Sequence, residues 1–164
     1  MVNSFSGQCI LCAAKGQPGL DICRQCEIDL PVMGSSCTHC ALPLAVEHKG
    51  RCGQCILIPP PYSRTEAQWL YRPPIAQLIS NFKYHGRLYC GHSLAKIASQ
   101  KYANAYLHDQ FPDVLTPMPL HWKRYMQRGF NQSEHLAQYY SKALKIPVIR
   151  SLKRIRATPS QQSL

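Results

Sequence analysis

Cys9-Ile-Leu-Cys12, Cys23-Arg-Gln-Cys26, Cys37-Thr-His-Cys40 and Cys52-Gly-Gln-Cys55 are four Cys-x-x-Cys knuckles in the first third of a 164-residue chain. They contain eight of its nine cysteines, with ten residues between the first two knuckles and eleven between the last two. Two residues between sulfurs let a tight turn aim both at one ion, and two knuckles complete a tetrahedral thiolate shell with no open coordination position. Such a shell selects zinc, or iron in a reducing setting. Sequential pairing puts Cys9, Cys12, Cys23 and Cys26 on one ion and Cys37, Cys40, Cys52 and Cys55 on a second. Interleaved pairing, as in cross-brace domains, joins the first and third knuckles instead; the near-equal repeat favours the sequential arrangement. His39 and His48 are the only nearby substitutes, and eight thiolates leave them no vacancy, so both read as surface or supporting histidines.

Residues 1–57 cannot bury much core, because Leu11, Ile22, Ile28, Leu30, Leu42, Leu44 and Val46 are few and scattered. Metal must therefore supply the folding energy, on the order of 10 kcal/mol or more per structural site. A chelator is accordingly expected to melt this module and spare the helices that follow. Closed four-thiolate sites are structural, or form a contact surface, and offer no position for catalysis. Cys90, between Tyr89 and Gly91, reads as a small buried residue and not a nucleophile.

Charge divides the chain. Residues 1–57 carry four basic and four acidic groups, whereas residues 58–164 carry fifteen basic and four acidic groups and so the entire net charge of +11. Eight thiolates against two divalent ions would take the first part from neutral to about −4. The basic half therefore suits a polyanionic partner, such as nucleic acid, a phosphorylated substrate or a membrane surface, or else is a solvated surface. Charged residues are only 16% of the chain and apolar ones 45%, which excludes an acidic disordered protein. Thirteen prolines argue against a helical bundle. No apolar run is long enough to span a membrane, and the start, Met-Val-Asn-Ser-Phe-Ser-Gly, is not a signal peptide; the expected location is the cytoplasm.

Ile58 to Arg64, rich in proline, reads as a stiff linker, and Thr65–Tyr71 as a short strand. After Pro73-Pro74, the spacing of Ile75, Leu78, Ile79 and Phe82 predicts an amphipathic helix ended by Gly86. A second helix is expected over Ser93–Leu107, with Leu94, Ile97, Ala98, Tyr102 and Ala105 inward. Asp113–Pro119 reads as a buried strand. Asn131 and Glu134 form an N-cap and its partner, opening a helix with Leu136, Tyr140, Ala143 and Leu144 on one face. Ile146–Ile149 reads as another strand. This alternation predicts an α/β unit with a largely parallel sheet. Between strand and capped helix, Lys123, Arg124 and Arg128 precede Gly129 and the helix start at Asn131, the chemistry of an anion site on a loop. The alternative is a basic surface loop.

The four knuckles, the Pro-rich stretch, Pro117-Met-Pro-Leu120, Arg128-Gly-Phe-Asn-Gln-Ser133 and the tail from Arg156 to Leu164, with its Arg-x-Thr-x-x-Gln pattern, together resemble the ComF/GntX family. The resemblance covers nearly the whole chain. It implies a double zinc ribbon over residues 1–57, a linker over 58–64, and over 65–164 the N-terminal part of a type I phosphoribosyltransferase-like domain. It also implies a bacterial protein linked to DNA uptake in natural competence. In that fold Thr116 and Pro117 would lie near the pyrophosphate of phosphoribosyl pyrophosphate. Lys123, Arg124, Arg128, Gly129 and Asn131 would belong to the loop closing over it.

The family's ribose-phosphate loop, two adjacent acidic residues followed by Thr-x-Gly-x-Thr, has no counterpart: no two acidic residues are adjacent, and the last glycine is Gly129. The chain is therefore expected to be C-terminally truncated and catalytically silent, with no catalytic residue assigned. Mg²⁺ would be needed only by a complete site, whereas two Zn²⁺ are expected. The alternative is a zinc-dependent module that binds single-stranded DNA or serves as an adaptor to other competence proteins. Tyr71, Tyr84, Tyr89, Trp122, Tyr125 and Phe130 are available for stacking, although most are expected in the core.

Overall fold

Each leading knuckle closes on the same backbone turn. In the computed structural model, which describes residues 7–45, 50–105 (Ala105 by its backbone alone) and 112–158, the Ala13 amide donates to Cys9 O (2.8 Å) and the Ala41 amide to Cys37 O (2.9 Å). The Cys9 amide donates to Ala14 O (2.7 Å) and the Cys37 amide to Leu42 O (2.9 Å), completing the loop in both copies. Ala13 and Ala41 take the left-handed conformation, φ 61° and 59°, that such a turn demands. The second knuckle of each pair leads into one helical turn: Cys26 lies on α1 (Arg24–Ile28) and Cys55 on α2 (Gly53–Leu57). The predicted Val46, His48, Leu107 and the tail residues 159–164 fall outside the described residues.

The chain forms two compact units, residues 1–26 with 78–164, and residues 27–77. In the second, the amide of Met33 donates to Gln68 O (3.0 Å) and that of Leu70 to Pro31 O (2.8 Å), flanking a single antiparallel bridge between Val32 and Trp69. The residues read as a strand over 65–71 therefore make one bridge and no ladder.

Helix α3 (Ile75–Tyr84) follows Pro74 and buries Ile75, Leu78 and Phe82; Gly86, φ 62°, lies just beyond its end. Helix α4 (Leu88–Ala105) starts five residues before the expected Ser93 and buries Leu94, Ile97 and Ala98. A Cβ on Gly91 would sit 2.6 Å from the Phe82 ring, so glycine lets that ring rest on the α4 backbone. Helix α5 (Trp122–Arg128) occupies the stretch read as a loop. His121 caps it by accepting from the Lys123 amide (3.4 Å), and Gly129, φ 75°, ends it. Helix α6 (Gln132–Leu144) begins at Asn131, whose Oδ1 accepts from the Ser133 amide (3.1 Å). Glu134 does not complete a capping box but pairs with Arg150. Helix α6 packs on α4, with Tyr102 edge-on to Tyr140 (5.8 Å) and His92 edge-on to Tyr139 (4.6 Å). Ala137 is buried on it and Ala143 is exposed.

The parallel-sheet α/β domain expected from the alternation is absent among the described residues: there are no sheet strands, only isolated bridges. One parallel bridge joins Leu115 and Val148, with the Leu115 amide donating to Pro147 O (2.8 Å) and the Ile149 amide to Leu115 O (2.9 Å). It cannot lengthen into a ladder, because Pro117, Pro119 and Pro147 have no N–H to donate. The described part of the basic half is helical, joined by extended connections.

Candidate functional site

The structure gathers the eight knuckle cysteines into two groups, Cys9, Cys12, Cys23 and Cys26, and Cys37, Cys40, Cys52 and Cys55, the sulfurs of each group lying within 4.8 Å of one another. Bonds of about 2.3 Å to a tetrahedral centre put neighbouring sulfurs ~3.8 Å apart. The Cys12 and Cys23 sulfurs are 3.7 Å apart and those of Cys40 and Cys52 3.8 Å. All nine cysteines are free thiols, since a disulfide needs about 2.05 Å. The residues present thus fit two Zn²⁺, one per group, held without an open position. Bound there, zinc supplies a cross-link between chain segments and no chemistry on a substrate.

The main-chain amides prepare both groups for a cation. The Cys37 sulfur accepts from the amides of His39 (3.4 Å) and Cys52 (3.2 Å). With the Cys40 amide contributing most, these outweigh burial and bring Cys37 down to about 6. Burial pushes Cys9 up, but amides of Cys23, Leu11 and Cys12 overcome it and hold Cys9 at about 6 as well. Burial and neighbouring thiols push Cys26 well up and Cys55 to about 12, as crowded sulfurs do when not all can be thiolates without a metal. The groups differ in access: Cys12 is exposed, whereas Cys37, Cys52 and Cys55 are all buried.

Two side chains fasten the ribbons to their own units. His39, 6% exposed, approaches Pro60 O through Nε2 (3.3 Å), lies 5.4 Å from the Tyr62 ring, and offers its carbonyl to the Thr65 amide (2.7 Å). It thus holds the proline-rich stretch against the second group. In the other unit, Lys96 of α4 donates to Gly19 O (2.9 Å) and Pro18 O (3.3 Å), between the two knuckles of the first group. The left-handed alanines could have been found in the sequence, because Cys-x-x-Cys-Ala occurs in both leading knuckles. Lys96 had no sequence signal, its partners being 77 and 78 residues away.

The residues expected to meet phosphate are only partly brought together. Arg124 and Arg128 line a cleft of about 360 Å³, while Lys123 lies outside its lining, over the Trp122 ring at 5.7 Å. Thr116 is exposed, 3.2 Å from the Ser151 hydroxyl, and Pro117 is buried. Gly129 and Asn131 shape the backbone: the Gly129 amide donates to Tyr125 O (2.8 Å), and Asn131 Nδ2 donates to Met118 O (3.2 Å). The cleft recruits three residues from outside that stretch, Lys83, Tyr84 and Gly86, and from within it also Gln127 and Phe130. No carboxylate is in its lining. The Arg128 guanidinium lies over the Tyr84 ring at 4.9 Å and donates to Gln132 Oε1 (3.2 Å); Gln132, 6% exposed, is anchored through Nε2 to Lys83 O (3.4 Å). Arg124 donates to Thr158 O (2.6 Å).

The family described as a double zinc ribbon domain matches residues 4–56, the span holding both cysteine groups. The chain is 30% identical to the DNA utilization protein YhgH of Salmonella typhimurium, across 98% of this chain and 66% of that protein. It is 32% identical to the Escherichia coli K12 protein of the same name, across 96% of this chain and 71% of that protein. It is 28% identical to competence protein F of Haemophilus influenzae, across 100% of this chain and 72% of that protein. The chain thus spans about two thirds of the length of these relatives. No solved structure matches it. With a ribbon carrying two four-cysteine groups and relatives matched along almost its full length, the chain belongs to the ComF/GntX family.

Proposed function

We propose that the chain works in the handling of single-stranded DNA in the cytoplasm. In this reading its basic half contacts the strand, and Cys9, Cys12, Cys23, Cys26, Cys37, Cys40, Cys52 and Cys55 hold two zinc ions that maintain the fold. The names of the relatives, DNA utilization protein and competence protein F, support a role in DNA use. The observation that carries the reading is the placement of charge: residues 58–164 hold the whole net charge of +11, and Lys83, Arg124 and Arg128 surround a partly aromatic cleft. Lys123, Arg124 and Arg128 meet backbone phosphates. Gly129 and Asn131 set the turn between α5 and α6, Asn131 holding the Met118 carbonyl that follows Thr116 and Pro117 in the chain. The chemistry is binding, through charge-assisted hydrogen bonds and stacking.

Titrating a fluorescent oligodeoxythymidylate with the zinc-loaded chain tests this. Affinity should fall steeply with salt, with a log–log slope of about −0.7 per phosphate contacted, and should depend little on sequence. Failure to bind at low salt would overturn the reading.

A further inference from the structure

We propose that the cleft lined by the end of α3 and by α5 is a pocket for one nucleotide of single-stranded DNA, with the phosphate held by Lys83, Arg124 and Arg128 and the base against the exposed part of Tyr84; this rests on the DNA-handling reading above. Tyr84 is 47% exposed although one of its faces carries the Arg128 guanidinium. Tyr84 is therefore held by Arg128 and still exposes nearly half of its surface, as a stacking residue requires. Arg128 is not a loose surface cation. Buried Gln132 takes one of its five N–H groups and is itself pinned to Lys83 O, so guanidinium and ring are fixed together before a ligand arrives.

Charge defines the ligand. Three cations line the cleft with no carboxylate to neutralise them, and Arg124 is turned to a neutral main-chain acceptor, Thr158 O. A phosphate oxygen would be a stronger acceptor for the same guanidinium. Its volume, about 360 Å³, is at the small end for ligand pockets, ~300–1,000 Å³, and so favours one nucleotide over a run of bases. In a duplex the bases are stacked on each other and cannot reach the ring, so the pocket selects unpaired strands.

Fluorescence anisotropy with the zinc-loaded full chain and oligodeoxythymidylate at low salt tests the pocket. Tyr84→Ala should weaken binding about 10-fold, while Tyr84→Phe, which keeps the ring, should bind as the parent does. Arg128→Ala should weaken binding and make the salt slope shallower by about 0.7, one phosphate contact; Arg128→Lys should restore the slope. Lys15→Ala, an exposed residue outside the basic half, should change neither, and a hairpin duplex should compete poorly. Parent-like affinity and slope in both Tyr84→Ala and Arg128→Ala, or equal competition by duplex, would overturn the pocket while leaving DNA binding intact. A parent chain that binds no oligonucleotide would overturn both.

Discussion

Ala13 and Ala41 sit where glycine would be easier. A left-handed φ costs a non-glycine residue ~1–2 kcal/mol, and both alanines carry it because the turn must bring the second sulfur round to the first. Ala41→Gly should therefore not destabilise the zinc-bound protein and should gain about 0.5–1 kcal/mol, seen as a rise in the thermal midpoint; a fall would show that the turn is not strained. His39→Ala removes the ring that meets Pro60 and Tyr62, so amide exchange over residues 60–66 should quicken even with zinc bound. Unchanged exchange there would mean the stretch is held by something else. Protonation works against the metal. Cys9 and Cys37 have folded values near 6, below the ordinary 9.0, so their contribution is complete above pH 9 and is lost as pH falls through about 6. Bound zinc favours the thiolates further, so dye-monitored zinc release should begin only below about pH 6. Release at neutral pH would contradict the site geometry.

Elements extend that logic. The Cys-x-x-Cys ligands were legible because a two-residue spacing is local and needs no tertiary information. Helix α3 was legible because four apolar residues share one face between a proline and a glycine. Helix α5 was not: seven residues with no apolar period become helical through the His121 cap and the left-handed Gly129, and Trp122, Tyr125 and Met126 stay exposed. The expected sheet is missing because an alternation of elements carries no information on which residues can donate; Pro117, Pro119 and Pro147 limit the pairing to one bridge. The Gly91–Phe82 contact tests how tightly the helices pack. Gly91→Ala should cost ~1–3 kcal/mol in denaturant unfolding, because the ring must move; no loss would show slack at that contact. The Lys96 clamp changes what chelation should do. The first cysteine group belongs to the same unit as α4, so stripping its zinc should raise amide exchange in α4 near Lys96, not in the ribbon alone as the sequence led one to expect. With Cys12 exposed, that group should also release zinc to a chelator faster than the second. An unaffected α4 would contradict the coupling.

Across the whole molecule, two cysteine groups do what a larger apolar core would otherwise do, since the described residues contain no sheet to organise the chain. None of the described helices is long and apolar enough to cross a membrane. The basic half is left to present its charge, most visibly in the cleft where Arg128, Tyr84 and Gln132 are locked together. The sequence made the charge asymmetry plain, but not the cleft, because Lys83 and Tyr84, at the end of α3, meet Arg128 and Gln132 only through the tertiary fold. All of this depends on metal at both groups. Elemental analysis of protein purified under reducing conditions is the most direct measurement: two zinc ions per chain are expected. A folded chain with no bound metal and its knuckle cysteines free or disulfide-linked would contradict the account.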